Sequence, residues 1–157
     1  MEADKFHWRL ASSDDDARVI APLVLIDMYR EVGRGKINPN KAFVAMYACI
    51  QDRKAAMIFH GDTLVGTLGL VEMDFWYSDD LQLVEQWAYI HPPYRGGPAM
   101  RCMFEAARDI ALDSGHEQVN MIIFNKERAK ARSPIAHIGE QFGFRPAGAV
   151  ISVEAAE

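Results

Sequence analysis

The residues best suited to chemistry lie in one stretch. Trp87-Ala88-Tyr89-Ile90-His91-Pro92 reads as the end of a strand, Pro93-Tyr94-Arg95-Gly96-Gly97 as a glycine-rich turn, and Pro98-Ala99-Met100-Arg101 as the start of a helix. The first N–H groups of a helix have no partner within it and lie at the positive end of its dipole, so such a junction suits an anion. Glycine lets the main chain approach a phosphate closely, and the Arg95 guanidinium adds a charge matched to phosphate oxygens. Taken alone, the stretch reads equally well as an ordinary strand-to-helix turn with a surface arginine.

Other candidates are weaker. Lys126, Arg128, Lys130 and Arg132 form a basic run. It reads first as a solvated face and second as a contact for a phosphate or an acidic substrate. Asp14, Asp15 and Asp16 follow Ser12-Ser13. A metal is one reading of the three aspartates, but a capped helix start, with Ser13 as cap and Asp16 three residues on, accounts for them better. Cys49 and Cys102 belong to no CxxC pair or Cys/His cluster. No metal site is therefore expected, and two lone thiols fit a reducing compartment.

These residues need elements to position them. Residues 6–11 read as a first strand, and a helix runs from Ser13 towards Gly33 with Pro22 interrupting it. A loop of turn formers, 33–40, leads to a helix over 41–51 with Phe43, Met46, Tyr47 and Ile50 at helical spacing. Residues 55–59 and 63–71 read as a hairpin around His60-Gly61-Asp62, with Gly66 and Gly69 as bulge markers. Residues 72–80 read as a loop anchored by Phe75, Trp76 and Tyr77. A strand over 81–90, a helix over 98–114 and a strand over 117–125 follow, then a helix opened by Ser133-Pro134 and a last strand over 144–154. The order is β-α-α-β-β-β-α-β-α-β. It predicts an α/β fold with a mixed, mostly antiparallel sheet and helices on both faces.

Residues 1–157 are expected to form a single domain, without repeat or linker. Half the residues are hydrophobic and a quarter charged, a globular composition. The net charge of -5 disfavours a nucleic-acid partner, which would need a basic face. Met1-Glu2-Ala3-Asp4-Lys5 lacks the apolar core of a signal peptide, and no apolar run is long enough for a bilayer, so no membrane partner and a cytoplasmic location are expected.

The junction resembles the hallmark of the GCN5-related N-acetyltransferase superfamily, a strand ending V-x-P followed by an R-G-x-G-x-G/A loop and a helix. The match is Ile90-His91-Pro92 and then Arg95-Gly96-Gly97-Pro98-Ala99-Met100. The resemblance extends to the element order of nearly the whole chain and to Gly143-Phe144 after the last helix. In style the sequence is similar to the short acetyltransferases of bacteria and their phages. Two loop glycines of the family fall on Pro98 and Met100. Pro98 has no N–H to give, though it suits a first helical turn, and Met100 is bulkier than glycine.

The resemblance implies acetyl-CoA as acyl donor and an amine as acceptor: a small molecule, a peptide N-terminus or a protein lysine. Backbone of Tyr89, Ile90 and His91 on one side, and of Phe124 and Asn125 on the other, would hold the pantetheine arm. Arg95, Gly96, Gly97, Ala99, Met100 and Arg101 would hold the pyrophosphate. An N–H near Ile90 would stabilise the developing oxyanion, and Glu85 would take the amine proton. A solvent-facing strand glutamate is an equal reading of Glu85, and His91 is a second candidate base. Many members place a tyrosine acid where this chain has Gly139, so Ser133, His137 or a water would take its part. Dimers are common in the superfamily. A silent acyl-CoA binder or interaction module on the same fold is the main alternative. A toxin acting on aminoacyl-tRNA is a third, opposed by the acidic charge.

Overall fold

The computed structural model describes residues 3–33, 35–121 and 138–144. Strand β1 (Phe6–Leu10) leads into helix α1 (Asp14–Pro22). Ser13 caps α1 by accepting the Asp16 N–H at 3.2 Å, and Asp16 Oδ2 accepts the Ser12 N–H at 2.8 Å. Both Asp16 carboxylate oxygens also take Arg9 Nη atoms, at 2.9 and 2.7 Å. The last of the three aspartates thus pins the helix to the strand before it.

Pro22 has no N–H for the carbonyl one turn back. The chain continues through π-helical turns, Leu23–Met28, into α2 (Tyr29–Val32). Helix α3 (Pro39–Gln51) starts earlier than expected. Asn38 accepts the Lys41 N–H at 3.1 Å and Pro39 occupies the first turn. The Asn-Pro pair read as loop is in fact a cap followed by a residue whose fixed φ suits a helix start.

Strands β2 (Ala55–His60), β3 (Thr63–Phe75), β4 (Ser78–Ile90) and β5 (Val119–Asn120) complete a sheet of order β1-β2-β3-β4-β5. The first three pairings are antiparallel, and β4 and β5 are parallel, joined through α4 (Pro98–Asp113). The mixed, mostly antiparallel α/β sheet is as expected.

Residues 72–80 are not a loop. β3 and β4 stay paired from Gly66–Ile90 out to Phe75–Ser78, so the segment forms the far end of a long hairpin. Phe75, Trp76 and Tyr77 anchor nothing in the described chain. Trp76 is 95 % exposed, and Phe75 and Tyr77 stack on each other at 5.3 Å. The backbone polar groups of this segment are satisfied by the strand ladder, so no core contact is needed to hold it.

Two cores flank the sheet. On one face Ala56, Ile58, Leu68, Leu70, Leu83 and Ile90 pack with Met103, Phe104, Ala107 and Ile110 of α4. On the other, Ala55, Met57 and Trp87 pack with Ile20 of α1 and Met46 and Ile50 of α3. Ile138 joins the α4 core. Of the expected strand 117–125 only Val119–Asn120 is strand among the described residues, and residues 122–125, most of the helix after Ser133-Pro134 and residues 145–154 of the last strand lie outside them. No described helix is long and apolar enough to cross a membrane.

Candidate functional site

The site is built on the second half of β4. Trp87 lies opposite Gly69 and Glu85 opposite Leu70, so Gln86 is an inserted residue, a β-bulge. Cross-strand partners share a face. Leu70 belongs to the α4 core, which puts Glu85, half-buried, on the α4 side. Trp87 belongs to the opposite core. Gly69 is required here, since a Cβ on it would come within 2.3 Å of the Trp87 ring. The indole N–H donates to Thr67 Oγ1 at 3.1 Å, and that hydroxyl donates to the Ala56 carbonyl at 3.0 Å. This buried chain fixes the strand just before the site.

The described pairing of β5 with β4 reaches only Leu83 and Val84. Beyond it, β4 runs on to Ile90. The His91 N–H donates to the Val65 carbonyl at 2.8 Å. N–H groups alternate along an antiparallel strand, so that of Tyr89 also points to β3, while those of Ala88 and Ile90 point to the outer edge. Of the expected trio Tyr89, Ile90 and His91, only Ile90 presents its amide outward. Its carbonyl accepts Arg95 Nε at 2.7 Å.

The turn follows a short 3-10 segment, Pro92–Tyr94. The Tyr94 and Arg95 amides donate to the carbonyls of His91 and Pro92 at 2.9 and 3.2 Å. Gly96 has φ +78, a conformation suited to glycine, and a Cβ on Gly96 or Gly97 would meet nothing within 4 Å. Gly97 precedes α4 with no side-chain cap. The Met100 and Arg101 amides both turn back to the Gly97 carbonyl, at 3.1 and 3.3 Å. Among the described residues, the amides of Gly96, Gly97 and Ala99 remain without a protein acceptor. Of the six residues expected to hold the pyrophosphate, these three are the ones that keep such amides. The Met100 side chain is buried in the α4 core, so its bulk leaves the turn open. Arg101 instead reaches Gln141 Oε1 at 2.5 Å.

The Arg95 guanidinium points to α2 rather than into the turn. Its Nη2 lies 2.7 Å from Glu31 Oε1, and the same oxygen accepts the Tyr89 hydroxyl at 3.3 Å. Arg95 also sits 5.4 Å from the centre of the Tyr89 ring. Burial, and next the Glu31 charge, push the Tyr89 phenol above its ordinary value. Glu31 was missed in the sequence, where nothing links it to an arginine 64 residues away.

Gly139, where many superfamily members carry tyrosine, is buried with its Cβ position 3.1 Å from Phe104 and 3.3 Å from Phe144. His91 is exposed at the strand end. Ser133, His137, Phe124, Asn125 and the basic run 126–132 lie outside the described residues.

No family model matches the chain, and no curated protein sequence does. Solved structures do. A predicted acetyltransferase of Clostridium acetobutylicum, solved with acetyl-CoA, aligns at TM-score 0.66 and 11% identity over 95% of this chain and 96% of that one. A ribosomal-protein-alanine N-acetyltransferase of Brucella melitensis biovar Abortus 2308 aligns at 0.61 and 16%, over 97% and 99%. An aminoglycoside acetyltransferase from an uncultured soil metagenomic sample, solved with sisomicin, aligns at 0.59 and 9%, over 98% and 96%. The likeness shows that the chain has the fold these acetyltransferases share.

Proposed function

We propose that the chain is an acetyl-CoA-dependent N-acetyltransferase, transferring acetyl to a primary amine by direct attack in a ternary complex. The carrying observation is the junction after β4, where three amides with no acceptor among the described residues follow an arginine tethered through its Nε at the end of a strand with an outward N–H. The fold is shared with acetyltransferases, one of them solved with acetyl-CoA. The residues fit a diphosphate. Gly96 and Gly97 leave open space, Pro98 falls where its missing N–H costs little, and Met100 is turned away.

Acetyl-CoA supplies the activated acetyl thioester. In the proposed reaction the Ile90 N–H polarises the thioester carbonyl and holds the charge that develops on its oxygen. The amine nitrogen forms the C–N bond as the C–S bond breaks, and its proton passes to Glu85, directly or through water. Ser133, His137 or a water returns a proton to the departing thiolate. A thiol of ordinary pKa, about 8.5, makes that acid dispensable.

Calorimetry with acetyl-CoA, on the wild type and on an Arg95→Ala/Gly97→Asp double variant, tests the cofactor reading. Micromolar binding lost in the variant is the expected result, and no binding of acetyl-CoA or longer acyl-CoAs overturns it. Glu85→Gln tests the base. The expected result is a kcat reduced about a hundredfold with its acidic limb removed, and an unchanged kcat across pH excludes Glu85. One observation favours a second reading, a silent acyl-CoA binder: Gly139 is packed where a tyrosine acid would stand. Such a binder would hold CoA yet release no free thiol with any amine.

A further inference from the structure

The far end of the β3–β4 hairpin gathers exposed apolar side chains. Met73, Trp76, Tyr77 and Leu81 are 51%, 95%, 68% and 54% exposed, and Phe75 is open as well. The Phe75 and Tyr77 rings stack at 5.3 Å and Trp76 stands edge-on to Tyr77 at 5.4 Å, so the three form one array. β5 pairs with β4 only at Leu83 and Val84. From Met73 to Leu81 every residue except Ser78 is exposed, so nothing among the described residues covers the tip. A continuous apolar patch of this kind marks a place of contact.

The charges around the patch select what it contacts. Phe75 lies opposite Ser78 and Asp74 opposite Leu81, so Asp79 and Asp80 are extra residues on β4, pushed out of the ladder. The Asp80 N–H donates to Ser78 Oγ at 3.1 Å, which shapes this bulge. Asp74, Asp79 and Asp80 are all exposed, and no cation among the described residues pairs with them. From Ala55 to Tyr94 the sequence has no lysine or arginine. Nucleic-acid phosphates and anionic lipid headgroups are repelled by such a tip. Two tips meeting face to face would set the same carboxylates against each other. A cationic side chain gains twice, from the aspartates and from a ring face.

We propose that this tip is a docking surface for a segment of another protein rich in lysine and arginine, with apolar side chains interleaved. Trp76 and Tyr77 take cations on their ring faces, and Asp74, Asp79 and Asp80 neutralise them. Met73, Phe75 and Leu81 supply the apolar contact. Ser78 and Ile90 stand at opposite ends of β4, about 40 Å of strand apart. The surface is therefore separate from the junction after β4, and the inference does not rest on the acetyltransferase reading.

The test is fluorescence anisotropy on the full chain with a labelled peptide of alternating arginine and leucine, and with a second peptide carrying glutamate in place of arginine. The wild type should bind the basic peptide saturably, more weakly as salt rises, and should not bind the acidic one. Trp76→Ala leaves the net charge alone and should weaken binding about tenfold. Asp79→Asn/Asp80→Asn should weaken it about three- to tenfold and flatten the salt dependence. Asp14→Asn/Asp15→Asn makes the same change of charge at the start of α1 and should have no effect. The tip is held by its strand ladder and not by a core, so thermal unfolding of its variants should match wild type, which separates lost binding from lost fold. The proposal is overturned by no saturable binding, by equal binding of both peptides, by binding that survives the tip variants, or by an equal loss in the α1 variant. Sedimentation of the chain alone and flotation with phosphatidylserine vesicles complete the test. A dimer that Trp76→Ala abolishes would make a second copy the occupant, and vesicle binding that Trp76→Ala abolishes would make it a membrane, and either result overturns the proposal.

Discussion

Asp16 holds α1 against β1, and its removal should be felt only where it is charged. The paired Arg9 guanidinium lowers the Asp16 carboxyl from 3.8 to about 2, with help from the Ser12 and Ser13 amides and against the effect of burial. A depression of that size corresponds to about 2 kcal/mol of stability. Arg9 is 48% exposed on its side chain, so solvent screening brings the expected value to about 1–2 kcal/mol. The sign follows from the direction. A carboxylate lowered on folding contributes fully above its unfolded value near pH 4, and the contribution drains away as pH falls through about 2. Asp16→Asn keeps an oxygen for the Ser12 N–H and removes the charge together with one of the two oxygens that accept from Arg9. Urea unfolding from pH 7 to pH 2 should show the variant about 1–2 kcal/mol less stable at neutral pH and level with wild type near pH 2. Arg9→Met should cost about the same, and the double variant little more than either single one. A gap independent of pH, or none at pH 7, would refute the ion-pair account.

Three further outcomes follow from the core and the site. Thr67→Val leaves the buried Trp87 indole N–H without its acceptor and should cost about 1–3 kcal/mol in thermal or urea unfolding, with Thr67→Ser restoring most of it. Burial raises the Cys49 thiol to about 11 and also raises Cys102, so native protein at pH 8 should resist iodoacetamide, with both thiols reacting once it is unfolded. Gly139→Tyr, which introduces the residue the superfamily resemblance leads one to expect there, should destabilise by about 1–3 kcal/mol and raise no rate, because a Cβ at Gly139 already comes within 3.1 Å of Phe104 and 3.3 Å of Phe144. A stable, faster Gly139→Tyr enzyme would show that this position faces the thiol after all.

Local chemistry was readable in the sequence where the cause is local. The Ser13 cap and the Pro98 helix start depend on residues within one turn of each other, and the structure has both. Reading failed where partners are distant. Phe75-Trp76-Tyr77 has the composition of a core anchor, and only the pairing of Asp74 with Leu81 and of Phe75 with Ser78 shows that it caps a hairpin. The site shows the same split. Gly96 and Gly97 announce an anion turn, but which amides stay unpartnered depends on the Gly97 carbonyl drawing in Met100 and Arg101. The orientation of Arg95 depends on a glutamate from α2. Neither is written in spacing.

One long-range feature did leave a mark in the spacing, and it shapes the site. Leu83 and Ile90 are both buried in the α4 core. They are an odd number of positions apart, and in a regular strand such residues face opposite sides. Both can be buried together only if one residue between them is inserted, and that residue is Gln86. Removing it would take either Leu83 or Ile90 out of the α4 core, so the bulge is what lets both pack there. The site inherits the result. Glu85 stands on one face, Trp87 and Tyr89 on the other, and the edge between them carries the outward Ile90 amide. The placement of Glu85 and of the outward Ile90 amide is thus a consequence of how β4 buries its leucine and isoleucine.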